Sequence, residues 1–253
     1  MKQIPNLFTL LNLCFGFIAI ILILQTGETI LNQQGMEWKI YLPERIWWAS
    51  LFLGAAAVVD FFDGFLARLL KTDSEMGKQL DSLADVVSFG VAPGLILFQL
   101  LRISYAQEPD GLETSFYMLL PAILFPAASA WRLARFNLDT EKRNHFQGLP
   151  TPAAGLFVAS LPLLLLYNPF NIQPLVLNKW VLYSICVAVP WLMISKLALV
   201  NLKFSSYGFK ENKERYSLIG LSILSIILLG WLSVPVIFLL YILVSLLFKN
   251  KLK

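Results

Sequence analysis

Residues 60–85 read DFFDGFLARLLKTDSEMGKQLDSLAD, and the reading of this stretch decides the reading of the chain. Asp60, Asp63, Asp81 and Asp85 flank or enter two long apolar runs. A carboxylate at membrane depth costs several kcal/mol unless it is paired, hydrated or bound to a cation. One such residue could be tolerated as packing, but four in so short a segment ask for a shared cause.

Their spacing supplies one. Asp60, Asp63, Gly64, Ala67 and Arg68 fall at i, i+3, i+4, i+7 and i+8, one face of a helix. Thr72-Asp73-Ser74-Glu75 has the form of a capping box, which predicts a second helix starting there. On that helix Gly77, Asp81 and Asp85 step by four and share a face. Two helices joined by a short turn therefore aim four carboxylates into one cavity. Oxygen-only donors suit hard cations such as Mg²⁺, Mn²⁺ or Ca²⁺. Two such ions can clamp a pyrophosphate and stabilise in-line attack at phosphorus. Gly64 and Gly77 would let a nucleotide approach the helix backbones, and Arg68 can pair with phosphate bidentately. Asp73 and Glu75 read as ordinary interfacial charges.

The surrounding composition agrees with a membrane setting. Of 253 residues, 57% are hydrophobic and 14% charged, against about a quarter charged in soluble domains. Apolar runs long enough to span fall at about 6–25, 46–70, 84–104, 115–136, 151–168 and 179–200. A last run, 217–248, carries no charge and would be about 48 Å long as one helix, too long for a hydrocarbon core of about 30 Å. Gly230 and Pro235 bracket a break, so the expectation is an all-α membrane protein of about eight spans, seven being the alternative. It is read as one membrane domain, a core of residues 1–203 with additional helices over 216–248. The opening apolar stretch is too long for a signal peptide, and no small-residue cleavage site follows it, so it reads as a retained first span.

Charge orients the spans. The even-numbered connections carry Arg68, Lys71, Lys78, then Arg132, Arg135, Lys142, Arg143, then Lys196, Lys203, Lys210, Lys213 and Arg215. The odd ones carry Lys39, Arg45, Arg102 and Lys179 beside six acidic residues. The positive-inside rule puts the N-terminus, the even connections and the tail Lys249, Lys251 and Lys253 in the cytoplasm. That outcome needs two spans in 217–248. Trp47, Trp48 and Trp180 read as interfacial belt residues. Pro93-Gly94 reads as a helix kink. Cys14 and Cys186 read as packing residues, and His145 as a loop surface residue.

The array Asp60-x2-Asp63-Gly64-x2-Ala67-Arg68-x8-Gly77-x3-Asp81-x3-Asp85 resembles, without departure, the signature of the CDP-alcohol phosphotransferase family. The resemblance implies that Asp60, Asp63 and Asp81 bind a dinuclear metal centre. It implies that Asp85 also lies at the metals and is the general base. Asp60, Gly64, Ala67, Arg68 and Gly77 would help to hold the CDP moiety, as would Asn6 and Thr9 on the first helix. The implied fold is a bundle built on six transmembrane helices, usually a homodimer, with its site open to the cytoplasm.

The four aspartates do not choose the acceptor alcohol. The opening IPNLFTLLNLCFGFIAI, then SAWRLARFN at 129–137, FQGLPTPAAG at 146–155 and MISKL at 193–197 are similar to family members whose acceptor is L-serine. That implies transfer of a phosphatidyl group from CDP-diacylglycerol to the serine hydroxyl, in the inner membrane. Arg132, Arg135 and Lys196 are candidates for binding the acceptor's carboxylate, with interfacial snorkelling as the plainer reading. A glycerol-phosphate or inositol-phosphate acceptor would need cations too. No Ser-His pair or reactive Cys suggests a covalent intermediate. A cation transporter is the rival of another class, but it would scatter its charges among several spans instead of gathering them on one hairpin.

Overall fold

Eight helices or helical stretches account for the predicted spans in a computed structural model that describes residues 4–25, 32–34, 37–39, 45–70, 74–108, 114–139, 146–200, 208 and 212–248. For Ile4, 32–34, 37–39, Ala67, Arg68, Leu70 and Phe146 it describes backbone alone. Thr72, Asp73, His145, the tail lysines and several of the orienting connection charges lie outside the described residues.

Helix α1 (Ile4–Leu24) packs along α2 (Arg45–Leu70). Helix α3 (Glu75–Val86) continues through a π-helical turn (Val87–Val91) into α4 (Ala92–Ala106), one unbroken helix of 32 residues. A 3-10 stretch (Phe116–Ile123) leads into α5 (Leu124–Leu138). Helix α6 (Thr151–Tyr167), the short α7 (Gln173–Val176) and α8 (Lys179–Ile194) complete the core, and α9 (Lys213–Leu229) and α10 (Ser233–Leu247) form the C-terminal pair. Among the described residues five stretches are long and apolar enough to cross a membrane, with α6 and α8 as shorter apolar helices. One of the five, Lys213–Leu247, is divided at Gly230, whose φ of 52° reverses the chain and lets α10 pack on α9. The all-α, multi-pass reading with a C-terminal pair therefore holds.

Two short antiparallel ladders join the helices. Strands β1 (Asn32–Gln34) and β2 (Glu37–Lys39) pair with each other, as do β3 (Phe146–Gln147) and β4 (Ala198–Leu199). The second ladder corrects the sixth predicted span. That span ends at Ile194 and not at 200, because Ser195 is extended and its hydroxyl turns back to the Leu192 carbonyl. Residues 198–199 then leave as a strand. Gly148 makes the approach possible: at φ +70° its amide donates to the Leu197 carbonyl, and a Cβ there would lie 2.4 Å from the Met193 carbonyl oxygen.

The start of α3 also needs correction. Its N-cap is Ser74, whose Oγ accepts from the Gly77 amide at 3.0 Å, not the Thr72 that a Thr72–Glu75 capping box implies. Pro93-Gly94, expected to kink the helix, lie in the first turn of α4, and the irregularity that the structure has is the π-helical turn just before them. Three helices close on that turn through small residues. Gly16 of α1 faces Ser88, Ser129 of α5 faces Gly90, and Gly155 of α6 lies against the Phe89 backbone. A Cβ on Gly16 or Gly155 would lie within 3 Å of those neighbours, so the helices cross at backbone distance. Phe89 is fully buried at this crossing, and Ile96, Leu97, Leu100 and Phe125 belong to the hydrophobic core beside it. The expected belt residues Trp47 and Trp48 stack at 4.5 Å at the start of α2, and Trp180 is exposed at the start of α8. Cys186 is fully buried in the core, as its packing role expects, while Cys14 is exposed on α1.

Candidate active site

The π-turn crossing fixes where α3 meets α1 and α2, and a cavity of about 630 Å³ opens there. Its walls come from three short segments: Pro5, Asn6 and Thr9 of α1; Asp60, Asp63 and Gly64 of α2; Ser74, Glu75, Gly77, Lys78, Asp81 and Asp85 at and in α3. The i+3/i+4 spacing on α2 and the i+4 steps on α3 thus converge as their periodicity requires. Ala67 and Arg68 continue the α2 face, but their side chains lie outside the described residues.

Carboxylate oxygens of Asp60, Asp81 and Asp85 all lie within 4.8 Å of one another. If all three are charged, each pair repels by on the order of 3–4 kcal/mol at an effective dielectric of about 20. Among the described residues no lysine or arginine forms an ion pair with any of them. A hard divalent cation is the partner that such a donor set fits. Asp63 lines the same cavity outside that triad, its Oδ2 accepting from the Thr9 hydroxyl. The structure therefore gathers all four aspartates round one cavity and three of them into one ligand-sized group.

Asp85 is the most enclosed of the triad. The Asn12 amide donates to its Oδ1 at 3.3 Å, and the Asn12 carbonyl accepts from Ser88 in the π-turn at 3.1 Å. Asn12 is fully buried and its side-chain oxygen has no partner. The sequence reading missed Asn12, although a polar residue three positions beyond Thr9 in an apolar run was the signal. It also took Lys78 only as a connection charge. Lys78 lines the cavity, and its ammonium donates to the Asn137 carbonyl at 3.2 Å. Gly77 lies close to Asn6, since a Cβ added there would be 3.0 Å from Asn6 Oδ1, whereas a Cβ on Gly64 would meet nothing within 4 Å among the described residues.

The three acceptor candidates separate. Arg132 is buried on α5, donates from Nη1 to Thr151 Oγ1 at 3.3 Å, and has no partner at Nε. It interacts electrostatically with Asp85. Arg135 donates to the carbonyls of Ile194 and Ser195 at 2.9 and 3.3 Å, capping the end of α8. Lys196 is exposed beyond that end, and none of the three is among the residues that line the cavity.

This arrangement, a carboxylate cavity at the meeting of three membrane helices, is that of a known class. The profile of the CDP-alcohol phosphatidyltransferase family matches residues 2–200, and the chain belongs to that family. Among curated relatives, the CDP-diacylglycerol–serine O-phosphatidyltransferase of Bacillus subtilis is 29% identical over 203 residues, 80% of this chain and 93% of the relative. That of Helicobacter pylori (strain 26695) is 35% identical over 158 residues, 62% of each chain. That of Saccharomyces cerevisiae is 38% identical over 119 residues, 44% of this chain and 39% of the relative.

Proposed function

We propose that this chain transfers the phosphatidyl group of CDP-diacylglycerol to the hydroxyl of L-serine and releases CMP. The observation that carries the proposal is the family signature folded into one cavity, with Asp60, Asp81 and Asp85 within 4.8 Å of one another. The serine assignment rests on the names of the relatives.

Asp60, Asp63, Asp81 and Asp85 would hold two divalent ions, Mg²⁺ or Mn²⁺, with Ca²⁺ also admitted by the donor set. When bound, such ions neutralise the pyrophosphate and the departing CMP. Asn6, Thr9, Gly64, Ala67, Arg68 and Gly77 would receive the CDP moiety, the acyl chains staying in lipid. Asp85, oriented by Asn12, takes the proton of the serine hydroxyl. The serine oxygen then forms its bond to the phosphorus next to diacylglycerol as the bond to CMP breaks. Arg132 offers an enclosed cation with a free N–H for the serine carboxylate. Arg135 and Lys196 would act at most at a distance, given the carbonyls that Arg135 caps and the exposure of Lys196. Residues 1–253 act as one catalytic domain in the inner membrane, as a homodimer, with the cavity toward the cytoplasm.

The test is an acceptor panel. Purified protein with CDP-diacylglycerol and Mn²⁺ is given serine, glycerol 3-phosphate, inositol phosphate or inositol separately, and the lipid product is identified. Phosphatidylserine from serine alone is expected. A product from another alcohol would retain the chemistry and overturn the acceptor.

A further inference from the structure

Helices α9 and α10 lie beyond residue 200, where the family match ends, yet α10 is bound tightly to the core. Phe238 of α10 stacks on Phe157 of α6 at 4.2 Å. More telling are two polar side chains in this apolar helix. Tyr241 donates from its hydroxyl to the Val200 carbonyl at 3.1 Å, and Ser245 Oγ accepts from the Val200 amide at 3.1 Å. Both side chains are buried, Ser245 completely. Both hydrogen-bonding groups of one core residue are thus satisfied by α10.

Val200 directly follows β4, and its position is passed on. Strand β4 pairs with β3, Gln147 opposite Ala198 and Phe146 opposite Leu199. From β3 the chain turns at Gly148, whose amide is held by the Leu197 carbonyl, and Leu149, whose amide is held by the Leu192 carbonyl at 3.0 Å. Two residues on, Thr151 opens α6, fully buried, and accepts from Arg132. Tyr241 also lies within electrostatic range of Arg132 itself. Hydrogen bonds joined by short stretches of chain therefore run from α10 through Val200 and the β3–β4 ladder to the residue that holds the Arg132 guanidinium.

We propose that Tyr241 and Ser245 are positioning residues for the acceptor subsite: α10 braces the β3–β4 ladder so that Thr151 presents Arg132 toward Asp85. This rests on the assignment of Arg132 to the acceptor. Helix α10 packs on α6 and β4, whereas α1 and α3, which carry most of the cavity lining, are held chiefly by each other, by α2 and by the π-turn, so the brace is expected to act first on the acceptor. It gives α10 a part in binding the acceptor.

Tyr241→Phe and Ser245→Ala each remove one hydrogen bond and leave the packing in place. Each is expected to raise KM for serine about threefold to tenfold, the worth of one hydrogen bond. KM for CDP-diacylglycerol and the Mn²⁺ concentration for half-maximal rate should stay at wild-type values. Amide exchange at Gly148 and Leu149 should quicken while that of α3 does not change. A merely structural role would lower stability or shift both KM values together. Wild-type kinetics in both variants, or parallel rises in the two KM values, would overturn the brace. Wild-type protein without serine-dependent CMP release would instead overturn the proposed function. In that case unchanged exchange at 148–149 in Tyr241→Phe would overturn the brace as well.

Discussion

Two polar clusters sit on the same long helix and differ in one respect. At the start of Glu75–Ala106, Asp81 and Asp85 meet Asp60 from α2. About 30 Å further along, Tyr105 hydrogen-bonds Tyr183 at 2.6 Å, and Tyr183 donates to the Met118 carbonyl at 2.8 Å. There Lys179 pairs with Glu108 at 2.5 Å and lies 5.3 Å from the centre of the Tyr105 ring. In the second cluster every charge has its opposite and the hydroxyls have partners. It ties α4, α8 and the 116–123 stretch together and asks for nothing more. The first cluster gathers carboxylates that no cation pairs with among the described residues, the cavity's one lysine, Lys78, donating to the Asn137 carbonyl instead, and its order comes from neutral neighbours, Thr9 and Asn12. Satisfied polar groups hold a membrane bundle together, whereas unsatisfied ones of like sign mark a place for a ligand.

The contrast can be broken at either cluster. The largest effect is expected from Asp85→Asn, a loss in kcat of about 10²–10⁴-fold, the range for a general base. Equilibrium binding of the CDP-lipid should be largely retained, and normal turnover would remove Asp85 from the chemistry. Asp60→Asn should lower kcat by about 10²–10³-fold, as for loss of one preorganised electrostatic group. It should also raise the metal concentration needed for half-maximal rate. A variant with unaltered metal dependence would separate Asp60 from the metal centre. Asn12→Ala keeps all four carboxylates and removes the donor to Asp85, so a loss of about 10–100-fold is expected, as for groups that orient metal ligands. The smallest effect belongs to the other cluster. Glu108→Gln should leave CMP release unchanged and lower thermal stability only slightly, because exposed ion pairs contribute little. A large loss of activity there would mean that the two clusters are coupled.

Periodicity carried much of this account. The i+3/i+4 aspartates of α2 and the i+4 steps of α3 are local features, and any helix pair must present them as the sequence orders them. The break at Gly230 was legible for the same reason, since an uncharged run too long for the bilayer must turn somewhere. The contacts that could not be read are long-range ones to backbone groups. Arg135 caps the α8 carbonyls, Lys78 reaches the Asn137 carbonyl, and Tyr241 and Ser245 take the Val200 peptide. A carbonyl has no signature in sequence, so the partner of each side chain emerges only once the helices are assembled. The β3–β4 ladder is two residues long and too short for alternation to announce it. The choice of Ser74 over Thr72 as the helix cap lies within the usual one- or two-residue uncertainty of a helix end.

The most direct test of the central claim is serine-dependent CMP release from CDP-diacylglycerol by the purified protein, first in EDTA and then with Mn²⁺ restored. No release is expected in EDTA, full release on adding Mn²⁺, and no such rescue in Asp60→Asn at the same metal concentration. Release that persists in EDTA, or equal rescue of Asp60→Asn, would contradict the assignment of the carboxylate cavity as a metal-dependent phosphatidyl-transfer site.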